Sequence, residues 1–364
     1  MPRPSPRSIL LLVHGADRFG TGTQALLAVT ALVDAGWRVR VALAGGRGAL
    51  GRALQDAGGD VVALSSRPRP GLALAAPLSR LLRAERPRGV VSMGRAMSRA
   101  AAAALVVVPG PALVALLARS TLGLADRLAV SRAARVVAAT PAVAAACRAA
   151  GVDPDRIDTV APGSMLPGPR RRDRRELATR LGLDPGRCWT VAVAPLEPAT
   201  HLTRLVWAID QLGVVRRDLD HVLVGSGPLA PRLARRAHVQ RITDRFAVVP
   251  WCGDADDLLA EAALVWQSGD VAYGGALVDG LAHGKPLVAV DSPAAREAIA
   301  DGVNGRIVPA RPESEFPRRA FQILEDAALE SRYGMASRTR AATLFDPARA
   351  AAGYVAAVER AVGS

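Results

Sequence analysis

Short apolar runs alternate with helix-length stretches along nearly the whole chain, and nothing else in it constrains the fold as tightly. Ser8 to His14 reads as a buried strand, a helix runs on to about Ala35, and Trp37 to Ala44 reads as the next strand. Gly45 to Gly48 opens another helix, Gly58-Gly59 ends it, and Asp60 to Leu64 follows as a strand. Gly89 to Met93, Leu105 to Val108, Arg135 to Ala138 and Ile157 to Val160 are further strand candidates. Strands alternating with helices at this spacing predict an α/β chain, with parallel sheets covered by helices on both faces. At 364 residues two such domains are expected, each able to bury its own core.

Pro167 to Arg175, PGPRRRDRR, is the natural boundary, because proline, glycine and dense charge suit an exposed linker. The expected division is residues 1–165, a linker over 166–185, a second domain over 186–344 and a terminal helix over 345–364. The second domain starts with a strand at Trp189 to Ala194 and a helix from about Thr200 to Leu212. The strand His221 to Val224 then runs into Gly225-Ser226-Gly227-Pro228, and Phe246 to Pro250 is another strand.

Trp266 to Ile299 reads as a strand end, a glycine-rich turn, a helix, the short buried strand Leu287 to Val290 and a further helix. Tyr273-Gly274-Gly275 would put bare N–H groups at a helix start, where the helix dipole also favours an anion such as phosphate.

Ala100 to Ala118 is the one long uncharged stretch. Pro109-Gly110-Pro111 interrupts it, so a buried helix–strand–helix is expected rather than a membrane span. The apolar run Ile9 to Val13 is too short for a signal-peptide core, and a cytoplasmic protein is expected. The three cysteines, Cys147, Cys188 and Cys252, show no paired spacing, which fits a reducing compartment and no structural zinc.

Charge is unevenly shared. Residues 1–165 carry 21 Arg against 9 acids, so +12 of the chain's net +14. A basic half points to an anionic partner: a membrane surface, an acidic glycan or a nucleic acid. Nucleic acid is not expected, because the arginines are scattered and lack interleaved aromatics. A contact of the basic half with an anionic membrane, peripheral to its inner face, remains an expectation. The first glycine turn lacks G-x-G-x-x-G spacing, and the second strand ends in Ala44-Gly45-Gly46 with no acid for a ribose, which argues against a dinucleotide oxidoreductase.

Several segments together resemble the retaining GT-B glycosyltransferases of family 4, the "glycosyl transferases group 1" domain. Tyr273-Gly274, Asp279, Ala282, Gly284, Pro286, Val288 and Ala289 fall on that family's E-x7-E pattern. Arg296-Glu297, Asp301-Gly302, Asn304-Gly305 and Val308 match its tail. Gly225-x-Gly227-Pro228 resembles its V-G-x-G-P loop, and Trp251-Cys252-Gly253 its F-x-G turn. The stretch Ala150-Gly151-Val152 to Pro162-Gly163 resembles the end of its N-terminal domain.

The resemblance implies two Rossmann-like domains facing a cleft, with a terminal helix (Phe345 to Val362) crossing back to the first. It implies transfer of a sugar from a nucleotide-sugar to an acceptor hydroxyl on a glycan or lipid-linked acceptor. Retention of configuration follows from it, with no cofactor and no metal. On the donor side it points to Gly225, Gly227, Trp251, Gly253, Tyr273, Gly274, Gly275 and Asp279. Gly20, Gly22 and Thr23 would form a flexible acceptor-side loop, with Gln24 where the family often has an acid.

The departures concern the reacting centre. The first motif glutamate falls on Val271, one residue from Asp270. The arginine and lysine of the phosphate clamp fall on Pro195 and Thr200, with His201 and Arg204 as the nearest substitutes. No catalytic residue is assigned, and Asp270, Arg95 and Arg18 are the candidates. The alternative is an inactive GT-B protein serving as a binding or assembly partner. Asp254, in a D-x-D-D run, is expected to cap a helix rather than hold a metal. His14, at the end of the first strand, is expected to be packed or merely exposed rather than facing a cleft, His283 to be structural, and Lys285 to be a solvated residue at a helix end.

Overall fold

The computed structural model describes residues 7–15, 20–44, 46, 48–65, 71–164, 168, 171–250, 254–269, 271 and 275–363. Two compact units emerge from the packing: Met1–Gly163 with Pro347–Ser364, and Ser164–Asp346.

The first unit runs β1 (Ser8–Val13), α1 (Thr21–Asp34), β2 (Arg38–Leu43), α2 (Gly48–Asp56), β3 (Asp60–Ala63), α3 (Ala75–Glu85) and β4 (Gly89–Met93). It continues through α4 (Arg95–Val107), β5 (Ala112–Leu117), α5 (Leu124–Ser131), β6 (Arg135–Ala138), α6 (Pro141–Ala149) and β7 (Ile157–Thr159). The second runs α7 (Arg174–Leu181), β8 (Cys188–Val193), α8 (Leu202–Val215), β9 (Leu219–Val224), α9 (Ala230–Val239), β10 (Phe246–Val249) and α10 (Ala255–Glu261). Then come β11 (Leu264–Gln267), α11 (Ala276–Ala282), β12 (Leu287–Val290), α12 (Pro293–Ala298), β13 (Gly305–Val308), α13 (Glu315–Leu324) and α14 (Ala327–Leu344). Last in the chain, α15 (Pro347–Gly363) belongs to the first unit.

Both sheets are parallel: seven strands ordered β3-β2-β1-β4-β5-β6-β7, and six ordered β10-β9-β8-β11-β12-β13. Alternation along β1 shows why the sheet needs helices on both sides. Ile9, Leu11 and Val13 join a core with residues of α1, α2 and α15, while Leu10 and Leu12 join another with α3, α4 and α6. Each such side chain contributes about 1.5–3 kcal/mol on full burial. In the second unit Trp266 packs edge-on against Phe316 of α13, with ring centroids 5.0 Å apart.

Three local expectations need correction. Leu105 to Val108 is not a strand. Alanine-rich α4 continues to Val107, and the strand is Ala112–Leu117, beyond Pro109-Gly110-Pro111. The apolar stretch is therefore helix, turn and strand, with no second helix, because Arg119 to Gly123 carries no apolar period. Much of the stretch read as a linker is also ordered. Asp173 caps α7 by accepting from the Glu176 amide, and Leu177 and Ala178 are buried. The Arg174 guanidinium lies 3.9 Å over the Trp189 ring. Among the described residues no helix is long and apolar enough to cross a membrane.

Candidate functional site

Strand order locates one candidate site in each unit. In an open parallel sheet ligands bind beyond the carboxyl ends of the strands, where the order reverses. That point lies between β1 and β4 in the first unit and between β8 and β11 in the second.

At the first switch point, β1 ends in exposed His14 and Gly15, whose φ of +104° suits only glycine. Gly20 turns the chain with φ +49°, and α1 starts at the next residue. Gly22 and Thr23 are therefore buried in the first helical turn, not in a loop; nothing from Thr21 to Asp34 breaks the helix.

Gln24 is 1% exposed, and its Nε2 donates to the Gly163 carbonyl at 2.8 Å. Its Oε1 accepts from the Gly163 amide at 2.9 Å and from the Tyr354 hydroxyl at 2.7 Å. The neutral amide thus does what a carboxylate cannot, donating and accepting at one peptide group. A side chain on Gly163 would lie 2.6 Å from Leu27 and 2.9 Å from the Pro347 backbone, so only glycine fits between α1 and α15.

Arg95 opens α4 beyond β4 and does reach this end of the sheet. Its guanidinium donates to the Thr121 carbonyl and lies 3.5 Å from Asp126, which Arg99 also approaches at 3.4 Å. Arg18 lies outside the described residues.

The second switch point is built by close backbone approach. A Cβ on Gly225 would sit 2.0 Å from the Ala194 carbonyl oxygen, and one on Gly227 would sit 2.6 Å from that of Leu196. The Leu196 amide donates to Ser226 at 3.0 Å, and the Leu229 amide to Leu196 at 2.9 Å. A Cβ on Gly269 would sit 2.7 Å from the Thr200 carbonyl, to which the Ser268 hydroxyl donates at 2.8 Å. The loops after β8, β9 and β11 are thus locked together, and the G-x-G spacing serves that packing.

The substitutions have local explanations here. Thr200 is buried, and its hydroxyl donates back to Pro195 and Glu197 at 3.0 and 2.6 Å. Arg204 lies 3.8 Å from Glu313. Val271, where a glutamate is expected, is 6% exposed and packs with Trp266 and Phe316 in the core. Gly275 has φ +50°, and a side chain there would meet Val271 at 2.6 Å. Asp279 lies in the first turn of α11 and is 4% exposed. Gln267, the last residue of β11, is buried with both amide atoms unpaired. Asp270, Trp251, Gly253, Tyr273 and Gly274 lie outside the described residues.

Four other assignments change or sharpen. Asp254 holds the N-cap position of α10, but its side chain makes no cap bond; it pairs instead with Arg172, and with Arg180 at 2.9 Å. Lys285 is not simply solvated, since its Nζ donates to the Ala260 carbonyl at 2.6 Å. His283 is buried, which lowers its pKa. The matched tail is architectural: Asn304 caps the end of α12 through the Ala300 amide, and Asp301 accepts from Ile307. No group of three His, Cys, Asp or Glu able to hold a metal occurs among the described residues.

Sequence reasoning missed Gln267, whose strand-end position gave no motif, and the Gln24–Gly163–Tyr354 network, whose members are far apart in the chain.

Comparisons with known proteins agree with this geometry. Residues 19–163 match the model "Glycosyl transferase 4-like domain", and residues 189–326 match "Glycosyl transferases group 1". A D-inositol 3-phosphate glycosyltransferase of Frankia alni is 28% identical over 202 residues, 52% of this chain and 50% of that protein. The chain spans about half the length of the curated relatives it matches. HepE of Anabaena, solved with UDP-glucose, superposes with a TM-score of 0.79 at 19% identity, over 96% of this chain and 98% of that one. WaaG, a glycosyltransferase involved in lipopolysaccharide biosynthesis, gives 0.74 at 15% identity over 98% and 100%. Two parallel sheets with paired switch points, the motif residues and both family matches together assign the chain to the GT-B fold glycosyltransferases of family 4, group 1.

Proposed function

We propose that this protein moves a sugar from a nucleotide-sugar donor to an acceptor hydroxyl, without metal and with retention of configuration. The second unit takes the donor, and the first takes a glycan or lipid-linked acceptor. The observation that carries this reading is the rigid rim of interlocked loops at the β8/β11 switch point, with buried Asp279 on the helix that follows. A rim fixed in this way preorganises the loops that would face a departing diphosphate. The bond from the sugar's anomeric carbon to the diphosphate breaks, the acceptor oxygen forms the new bond, and its proton leaves. Asp279 supplies an acceptor for donor hydroxyls.

Pro195 and Thr200 remove two cations from the expected clamp, each good for about 1.5–3 kcal/mol in a charge-assisted contact, so weak donor binding is expected. The membrane contact expected from the basic N-terminal half belongs to the same proposal, since a lipid-linked acceptor is met at a bilayer.

The test is calorimetry and thermal shift with nucleoside diphosphates and nucleotide-sugars, with and without divalent metal. UDP-glucose comes first, because the Anabaena neighbour was solved with it. D-inositol 3-phosphate enters the acceptor panel through the curated relatives' name. Ligand at 100 times its Kd adds about 2.7 kcal/mol of stability. Metal-independent binding of one nucleotide, lost in Asp279→Ala, supports the proposal. Silence across the panel in folded protein favours the inactive assembly partner instead.

A further inference from the structure

Eleven large apolar side chains are strongly exposed among the described residues, and four of them, Val106, Val107, Leu124 and Leu128, belong to neighbouring α4 and α5. The pair on α5 stands out, with Leu124 76% and Leu128 55% exposed at i, i+4 spacing on one face. Arg127, Ser131 and Arg132 share that face, and both arginines are exposed, with no hydrogen-bond or ion-pair partner among the described residues. The helix's one acid, Asp126, is buried on the opposite side and paired with Arg95 and Arg99. The visible surface of α5 is therefore leucine and arginine with no negative charge.

Beside it the carboxyl ends of α4 and α5 flank a groove of about 760 Å³. Leu105, Val106 and Pro109 supply apolar lining, and Arg132, Arg135, Arg156 and Arg360 supply charge. Asp158 is shared by Arg135 and Arg360, and Arg156 donates to the Ser131 and Ala133 carbonyls. The corner stays strongly positive.

We propose that the α4–α5 corner docks on an anionic phospholipid bilayer, with Leu124 and Leu128 entering the acyl boundary and Arg127, Arg132 and the groove receiving headgroup phosphates. Protruding leucines flanked by arginines on a helix match an interfacial contact, where long basic side chains keep their charge at the headgroups. A second copy of the chain fits poorly, since like charges would meet. This surface rests on the membrane contact in the proposed function, but not on glycosyl transfer.

The test is co-sedimentation of the full chain with vesicles of phosphatidylglycerol and phosphatidylcholine, against phosphatidylcholine alone. Wild type should bind only the anionic vesicles, and less as salt rises. The Leu124→Glu, Leu128→Glu double variant should lose binding by at least about ten-fold at an unchanged Tm. Arg127→Glu with Arg132→Glu should abolish the preference for anionic lipid. Val214→Glu with Val215→Glu, an exposed valine pair on α8, should bind like wild type. Wild type that ignores anionic vesicles overturns both the membrane contact and this surface. Wild type that binds while the leucine variant binds equally overturns the surface alone. Self-association removed by the leucine variant, without vesicle binding, would assign the corner to a second copy. Failure of every nucleotide-sugar to bind would leave these outcomes untouched.

Discussion

Replacing Gln24 tests how the first unit is held together. In Gln24→Leu the Gly163 amide, the Gly163 carbonyl and the Tyr354 hydroxyl lose their partners inside a buried site. An unsatisfied buried group costs about 1–3 kcal/mol, and partial relaxation brings three of them to roughly 4 kcal/mol. For a unit of this size that lowers Tm by about 8–16 °C, at 2–4 °C per kcal/mol. Gln24→Glu is more discriminating. Its carboxylate still accepts from Gly163 and Tyr354, but its other oxygen faces the Gly163 carbonyl, so ionisation is penalised. The folded-state pKa of this glutamate is then raised above its unfolded value. The variant should be closest to wild type below the unfolded pKa, where the neutral acid donates to that carbonyl, and should lose stability as pH rises. Urea unfolding at pH 4.5 and 7.5 reads both effects. A Gln24→Leu shift under about 2 °C, or a Gln24→Glu penalty independent of pH, would refute the reasoning.

Other expectations follow from single contacts. Gly225→Ala forces a methyl into the Ala194 carbonyl and should destabilise by about 3 kcal/mol or more in urea unfolding. Val271→Glu, which restores the family's residue, should not restore binding; it buries an unpaired charge in the core at about 3–5 kcal/mol, seen as a lowered urea midpoint. Buried His221 accepts or donates through Nδ1 to Thr190 at 2.6 Å, and burial first, then Arg245, lowers its pKa to about 3. Its folded-state pKa lies below the unfolded value near 6.5, so this contribution is complete above pH 6.5 and lost as pH falls towards 3. At pH 5 about 2 kcal/mol should be gone, and His221→Leu should flatten that limb of the stability–pH curve.

Much of the fold is legible in the sequence because parallel strands buried on both faces leave apolar runs such as Ser8 to Val13 and Leu287 to Val290. Leu105 to Val108 misleads for a physical reason: three valines have strand propensity, yet the alanines before them extend α4. The candidate site is less legible. Gly225 and Gly227 are readable as glycines, but their neighbours Ala194 and Leu196 are fixed only by the packing of two loops. Val271 is readable as a missing acid, yet only the structure shows its side chain turned into the core. Gln24 looks like a lost carboxylate until Gly163 and Tyr354, distant in the chain, come beside it.

The helix α15 also sets an order of events during synthesis. Ala350, Tyr354, Ala357, Val358 and Ala361 cover the core built on Ile9, Leu11 and Val13, so the unit translated first is completed last. Ser164–Asp346 is continuous and can finish folding while its predecessor waits with one face of its sheet partly bare. At about 5–20 residues per second that wait lasts roughly 10–40 s. During it the nascent chain carries an open apolar face that α15 will later cover, the kind of transient surface that is prone to aggregate.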